Sequence, residues 1–290
     1  MITFTKLGQY GRLGNQFFQY AATKSIALEK EYDFKIPFLN NKVWHGQYSL
    51  LENFNINANQ YTDDEKSTIE SSYQTFIEKK PYAYQPEIKN IEDNTNLFGY
   101  FQDKRYFIKN IDLFRREFTP KDKYIQIAYK KIKELKEIYN IDILISIHIR
   151  RGDVIGGDFS KYYFNKNGNI GNDSWYYKYL DKCINFFGKK NIKYLVFTGG
   201  NIGDDNKNEY RWCEKNFNDD LFIINKENDS VIDYSLISLC DGNILSPHST
   251  FGYWAALVNK NKNVIAPKDY VMNNNDFNYN NFFPDYFKKL

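Results

Sequence analysis

Residues 141–154 read IDILISIHIRRGDV, an apolar run that ends abruptly in two arginines, a glycine and an aspartate. An apolar stretch of this length feeding a polar loop predicts a buried strand of a parallel sheet. Arg150 and Arg151 then stand at the strand's carboxyl end, where open α/β sheets bind their ligands. Both guanidiniums stay charged and present planar forks of donors, so a rigid backbone holding them side by side suits a diphosphate better than a point charge would. The expected partner is a phosphorylated ligand. Two plainer readings stand beside this one: Arg151 points into water or pairs with Asp153, and His148 is a core imidazole bonded to backbone.

Outward from this strand the chain alternates. Before it, Tyr124–Tyr139 has apolar residues at Ile125, Ala128, Ile132 and Leu135, the spacing of a helix lying on a sheet. After it come helix 175–187, strand 194–198, a helix near 208–216, strand 221–225, helix 231–240, strand 243–245, helix 251–259 and strand 263–266. Such alternation means a parallel sheet with crossover helices. At the amino end, Ile2–Leu7 reads as a strand, Gly8–Gly14 as a glycine-bearing loop and Asn15–Lys30 as a helix with Phe17, Phe18, Ala21, Ala22 and Ile26 inward. Residues 37–93 are polar and poorly periodic and read as loops and short elements. The fold class is α/β, with a boundary near 140 separating residues 1–140 from 141–290.

Composition narrows the function. With 290 residues, 42% hydrophobic and 18% aromatic, the chain has material for one large or two medium domains. A net charge of +3 from 39 basic and 36 acidic residues leaves no concentrated cationic face for nucleic acid. Cys183, Cys213 and Cys240 are too few and too scattered for a disulfide scaffold or a zinc knuckle, which predicts a reducing compartment. Met1 leads straight into ITFTKL, and no window approaches the ~20 apolar residues of a membrane span, so a soluble, unexported protein is expected.

Three further constellations are candidates to share the ligand. Gly8, Gly11 and Gly14 precede a helix, as in a phosphate cradle. Their spacing is not GxGxxG, and a tight turn with glycines at positive φ explains them as well. Asn15 is either a polar contact for the ligand or a helix cap. Ser249 or Thr250 should cap the helix that opens after Pro247 and His248, leaving free amides at its start. Asp233, in a helix turn, either accepts from two adjacent ring donors of a guanine or favours the helix dipole. Tyr100, Phe101 and Trp254 suit sugar stacking or, more ordinarily, the core.

Taken in order, GRLGNQFFQYA near the amino end, GYFQDKRYF in the middle, HIRRGDV on the strand and SPHSTFGYWAALV near the carboxyl end resemble the bacterial α-1,2-fucosyltransferases of glycosyltransferase family 11. The HxRRGD pattern is also similar to that of α-1,6-fucosyltransferases and protein O-fucosyltransferases. The resemblance implies a GT-B-like fold of two Rossmann-like domains with parallel sheets facing a cleft. Residues 1–140 would form the acceptor side and 141–290 the GDP-fucose-binding side. It implies an inverting, metal-independent transfer of L-fucose from GDP-fucose, with no cofactor, to the 2-hydroxyl of a galactose-terminated glycan or lipid-linked oligosaccharide. The expected setting is surface glycan synthesis in the cytoplasm, with peripheral contact at the inner membrane.

By the same resemblance Arg150 clamps the β-phosphate, with His148 and Arg151 supporting the pocket. Ser249, Thr250 and Phe251 match a second phosphate-binding turn, Asp233 the carboxylate that reads guanine, and Asn15 the residue reaching the diphosphate from the first half. The base candidates are Asp153 and Asp158. Asp158 stands ten residues after His148, the offset at which the α-1,6 relatives carry a catalytic glutamate. FTGG at 197–200 departs from the acidic FSDD-like segment of many relatives; Asp204 and Asp205 follow it. The competing readings are a catalytically silent nucleotide-sugar binding protein and a fucosyltransferase of another linkage.

Overall fold

The computed structural model describes residues 1–37, 50–155, 157–199, 207–227, 229–271 and 277–290. The chain divides into two compact units, Met1–Lys121 with Asn274–Pro284, and Asp122–Asn273 with Asp285–Leu290.

The first unit contains β1 (Ile2–Thr3), α1 (Leu13–Lys30), β2 (Lys35–Ile36), α2 (Leu50–Asn53), β3 (Asn59–Gln60), α3 (Asp63–Ser72), β4 (Gln74–Ile77), β5 (Thr95–Phe98) and α4 (Ile111–Glu117). A parallel sheet runs in the order β1-β5-β4, and β2 pairs with β3, also in parallel. The strand expected over Ile2–Leu7 is only two residues long. The chain turns at once, with Leu7 and Gln9 donating to the carbonyls of Phe4 and Lys6, and Gly8 at φ +83° lets it do so. Gly11, at φ +91°, is the tighter case: a Cβ there would lie 2.7 Å from the Asn15 side chain. Helix α1 begins two residues before the expected start, with Arg12 as its N-cap residue. Asn15 is therefore not the cap.

Within the stretch read as loops, Thr62 and Glu65 form a reciprocal capping box that starts α3. The pattern is visible in the sequence. The helix is nonetheless polar, and of its side chains only Ile69 is buried, so hydrophobic periodicity could not reveal it.

The second unit contains α5 (Asp122–Tyr139), β6 (Ile143–Arg150), α6 (Asp158–Tyr163), α7 (Trp175–Phe187), β7 (Ile192–Gly199), α8 (Lys207–Asn216), β8 (Phe222–Ile224), α9 (Ser230–Leu239), β9 (Gly242–Ile244), α10 (Thr250–Val258) and β10 (Val264–Ala266). After α11 (Tyr279–Phe282), which belongs to the first unit, the chain ends in β11 (Lys288–Lys289). The sheet is wholly parallel, in the order β11-β10-β9-β6-β7-β8. The boundary expected near 140 falls instead between residues 121 and 122. Helix α5 buries Ala128 and Ile132 and packs on α9 and β6, so its apolar stripe ties it to the sheet that follows.

Strand β6 is central and sorts its side chains by alternation. Ile145, Ile147 and Ile149 join a core cluster with Tyr176, Leu180 and Cys183 of α7 and Trp212 and Cys213 of α8. The alternate residues Ser146, His148 and Arg150 face the other way. There Ser146 meets the Asn243 amide at 2.7 Å, and Phe251 lies 5.8 Å from His148, ring to ring. Helix α10 is apolar along most of its length because it is enclosed: Tyr253 to Leu257 are all fully buried.

Candidate active site

Register explains how Arg150 is held. β6 pairs with β7 from Ile143↔Ile192 as far as Arg150↔Gly199, but its pairing with β9 ends at Ile147↔Ile244. Beyond that point the Arg150 amide has no ladder carbonyl on the β9 side. It donates instead to the Ser246 hydroxyl at 2.9 Å. Ser246 in turn shares a short hydrogen bond with the buried Tyr176 hydroxyl. At the far end of the side chain, the Arg150 guanidinium donates through Nη1 to the carbonyl of His248. His248 has a left-handed backbone, φ +53°, and its ring stacks on Tyr270 at 6.1 Å. Arg150 is thus fixed at both backbone and tip.

Ser246→Ala should leave both the Arg150 amide and the Tyr176 hydroxyl without this partner, at a cost of about 1–3 kcal/mol of stability in urea unfolding. Tyr176→Phe made alongside it should cost less than the sum of the two single changes, because the groups share one network.

Around this arginine the structure gathers four of the expected residues, His148, Ser249, Thr250 and Phe251. Ser249 is the N-cap of α10, accepting from the Gly252 amide at 3.1 Å, and Thr250 and Phe251 open the helix. His148 lies against the same turn: a Cβ at Gly252 would be 3.3 Å from His148 Nδ1. That Nδ1 is buried with no hydrogen-bond partner. Burial, with the positive charge of Arg150 adding to it, pushes the His148 imidazole down to about 3, and the same causes push His248 down to about 4. Both rings are neutral at any physiological pH. A cation, a neutral imidazole and the amide-bearing start of a helix therefore converge on one place, an arrangement that stabilises negative charge and leaves proton transfer to other groups.

Three other expected residues lie in different surroundings. Arg151 does not point into water: its Nη1 reaches both carboxylate oxygens of Glu209 on α8 at 2.7 Å, and its guanidinium stacks 4.7 Å over Trp212. Asp233, in the first turn of α9, accepts from the Asn225 amide at 2.6 Å, and the Asn225 carbonyl accepts from Lys131 of α5 at 3.0 Å. Burial raises the Asp233 carboxyl well above the usual carboxylate range, with the Asn225 bond and Lys131 opposing it. Asp158 is exposed and pairs with Lys161 at 3.2 Å. The side chain of Asp153, together with Gly200, Asp204 and Asp205, lies outside the described residues.

In the first unit, the Asn15 carbonyl accepts from Gln102 at 2.8 Å. Phe101 and Trp254 are fully buried core residues, while Tyr100 is partly exposed and stacks on Tyr10 at 4.7 Å. Among the described residues no trio of His, Cys, Asp or Glu is placed to hold a metal, and no helix is long and apolar enough to cross a membrane. The three cysteines are buried and unpaired with one another.

Ser246, His248, Tyr176, Glu209, Asn225 and Lys131 support these residues, and the motif reading passed over all six. Ser246 and His248 flank Pro247 inside a quoted motif, so their neighbourhood was in view. Tyr176, Glu209 and Lys131 come from helices distant in sequence, and Asn225 from just beyond β8, and none carries a local signal.

Residues 3–286 match glycosyl transferase family 11. An α-1,2-colitosyltransferase of Escherichia coli is 26% identical over 270 residues, covering 85% of this chain and 84% of its own. The O-antigen biosynthesis glycosyltransferase WbnK of Escherichia coli is 26% identical over 313 residues, covering 91% and 94%. Among solved structures, the fucosyltransferase NodZ from Bradyrhizobium superposes with a TM-score of 0.52 at 13% identity, covering 89% of this chain and 92% of that one. A structure of NodZ α-1,6-fucosyltransferase soaked with GDP-fucose gives 0.51 at 12% identity, covering 89% and 91%. The fold is α/β with parallel sheets and GT-B-like. A match over nearly the whole chain makes this protein a member of glycosyltransferase family 11.

Proposed function

We propose that the protein transfers L-fucose from GDP-fucose, with inversion and without a metal, to the 2-hydroxyl of a terminal galactoside during surface glycan synthesis. One observation carries this reading: Arg150 is held at the strand end by Ser246 and His248, beside the capped start of α10 and the neutral His148. As the bond from sugar C1 to the β-phosphate breaks, positive charge develops on the sugar ring and negative charge on GDP. A fixed guanidinium near the leaving phosphate stabilises that separated state more than the ground state. Ser249, Thr250 and Phe251 add the helix-start amides, Asp233 reads the guanine edge and Asn15 reaches the diphosphate. Arg151, locked to Glu209, supports the strand end and does not touch the donor. The acceptor hydroxyl needs a base only late, as its oxygen closes on a cationic carbon, and Asp158 or Asp153 supplies it. Residues 122–273 hold the donor and the first unit meets the acceptor. The protein works in the cytoplasm, in peripheral contact with the inner membrane where the acceptor is lipid-linked.

The colitosyltransferase relative favours a second reading, in which the sugar transferred is colitose, tested as GDP-colitose. Incubation of purified protein with each nucleotide sugar and a panel of galactosides, followed by linkage analysis, tests both. Fucose on O2 of galactose is the expected product. Transfer from GDP-colitose alone would move the donor assignment, and another linkage would move the acceptor assignment. GDP binding with neither transfer nor hydrolysis would make the chain a silent nucleotide-sugar binder.

A further inference from the structure

We propose that Glu78 is a positioning residue that pins the loop carrying Gln102 and so holds Asn15 in place for the donor; this rests on the reading of Asn15 as a donor contact. Glu78 directly follows β4, and its amide still pairs with the Phe98 carbonyl at the end of β5 at 2.8 Å. From there its carboxylate turns onto the next loop. Oε2 accepts from the Tyr100 amide at 2.6 Å and Oε1 from the Phe101 amide at 3.1 Å. Gly99, between strand and loop, permits this approach, since a Cβ there would stand 2.3 Å from Glu78 Cβ and the backbone lies at φ +156°.

The clamp has a consequence one residue further on. Phe101, at φ +53°, is fully buried with its ring edge-on to Phe4 and Tyr106, and the chain leaves it directly into Gln102. Gln102 is nearly buried, and its amide donates to the Asn15 carbonyl at 2.8 Å. Asn15 is pressed from the other side by the backbone of Gly11. Gln19 of α1 also reaches the loop, donating to the Tyr10 and Gly99 carbonyls at 2.7 and 3.3 Å. Two main-chain amides on one carboxylate set the loop; the loop sets Gln102; Gln102 sets the rotamer of Asn15.

The pin is also titratable. The groups facing Glu78 are Asp103, itself forked by Arg105 at 2.7 and 2.9 Å, and the phenols of Tyr100 and Tyr106. Burial raises the carboxyl to about 7, against the two amide bonds that hold it down, and Asp103 adds to the rise. Protonation occupies one acceptor oxygen and loosens the clamp. Because the folded value lies above the unfolded one, this group favours the folded state below the ordinary carboxylate range and loses that contribution as pH rises through 7. Activity and stability should therefore run in opposite directions with pH, which a merely structural carboxylate does not require.

The test measures GDP-fucose turnover between about pH 5.5 and 8.5, with thermal unfolding alongside, for the intact chain and for Glu78→Gln, Gln102→Ala, Asn15→Ala and their pairs. At pH 8, Glu78→Gln should lower kcat/KM about tenfold, mainly through KM for the donor, with no fall in unfolding temperature. The unchanged chain should lose activity as pH falls through about 7, and Glu78→Gln should lack that limb. Each pair of substitutions should be no worse than Asn15→Ala alone. Gln102→Ala, which cuts the link without touching the pin, should reproduce the loss, so a folding defect in Glu78→Gln cannot mask the result. The proposal is overturned if Asn15→Ala impairs turnover while Glu78→Gln and Gln102→Ala do not, or if the losses multiply. If Asn15→Ala turns over normally, the donor reading of Asn15 fails first and the pin with it.

Discussion

Arg150→Ala is expected to lower sugar transfer by about 10²–10³-fold while leaving the fold unchanged. The fold survives because the bond to Ser246 is made by the main-chain amide, which alanine keeps. What disappears is the guanidinium, anchored at its tip by the His248 carbonyl and therefore already aimed before the donor arrives. Preorganisation is what makes such a donor valuable: it needs no reorientation as charge grows on the leaving phosphate. Arg150→Lys should fail almost as badly, because an ammonium cannot bond to the His248 carbonyl and form a two-pronged contact with a phosphate together. Steady-state kinetics with GDP-fucose, set beside circular dichroism and GDP affinity, checks this. Activity within threefold of the starting enzyme would remove Arg150 from the phosphate.

Glu209→Ala should cost about 3–5 kcal/mol of stability in urea unfolding, the largest effect expected apart from that at Arg150. The side chains of Arg151 and Glu209 are 16% and 6% exposed, so removing the carboxylate strands a cation in a mostly buried site beside Trp212. Arg151 Nε already lacks a partner, which leaves the guanidinium little to fall back on. Replacing both, Arg151→Met with Glu209→Leu, should recover most of the loss, because the cost lies in the unpaired charge. A loss below about 1 kcal/mol for Glu209→Ala would mean that Arg151 swings out to water or toward the donor. The second of these would give it a role at the phosphate after all.

These two arginines show where motif reading stops. Adjacent in sequence, they look interchangeable as phosphate ligands. Alternation along β6 sends Arg150 to the face shared with α10, while Arg151, just past the strand, is captured by a glutamate 58 residues away. In the same way, Asn15 could be read as a cap until α1 proved to start at Leu13, and Asp233 does lie in the first turn of α9 but with a partner, Asn225, that its motif does not announce. In the second unit α7 spans Trp175–Phe187 as its periodicity requires and β6 to β10 follow in the expected order, while the short α6 and β11 carry too few residues to show a period. In the first unit the two-residue strands and the polar helix α3 leave little hydrophobic pattern to read.

The parallel α/β class, the strand that ends in Arg150 and a helix capped by Ser249 or Thr250 could be read from the chain alone, because hydrophobic period and capping chemistry are local properties. It took the assembled fold to set which guanidinium lies against the turn before α10 and which pairs with Glu209, and which carboxyl is forced toward neutrality. Those outcomes depend on burial and on partners brought together from distant elements, and the energy of a charge is set by what surrounds it once water has been excluded.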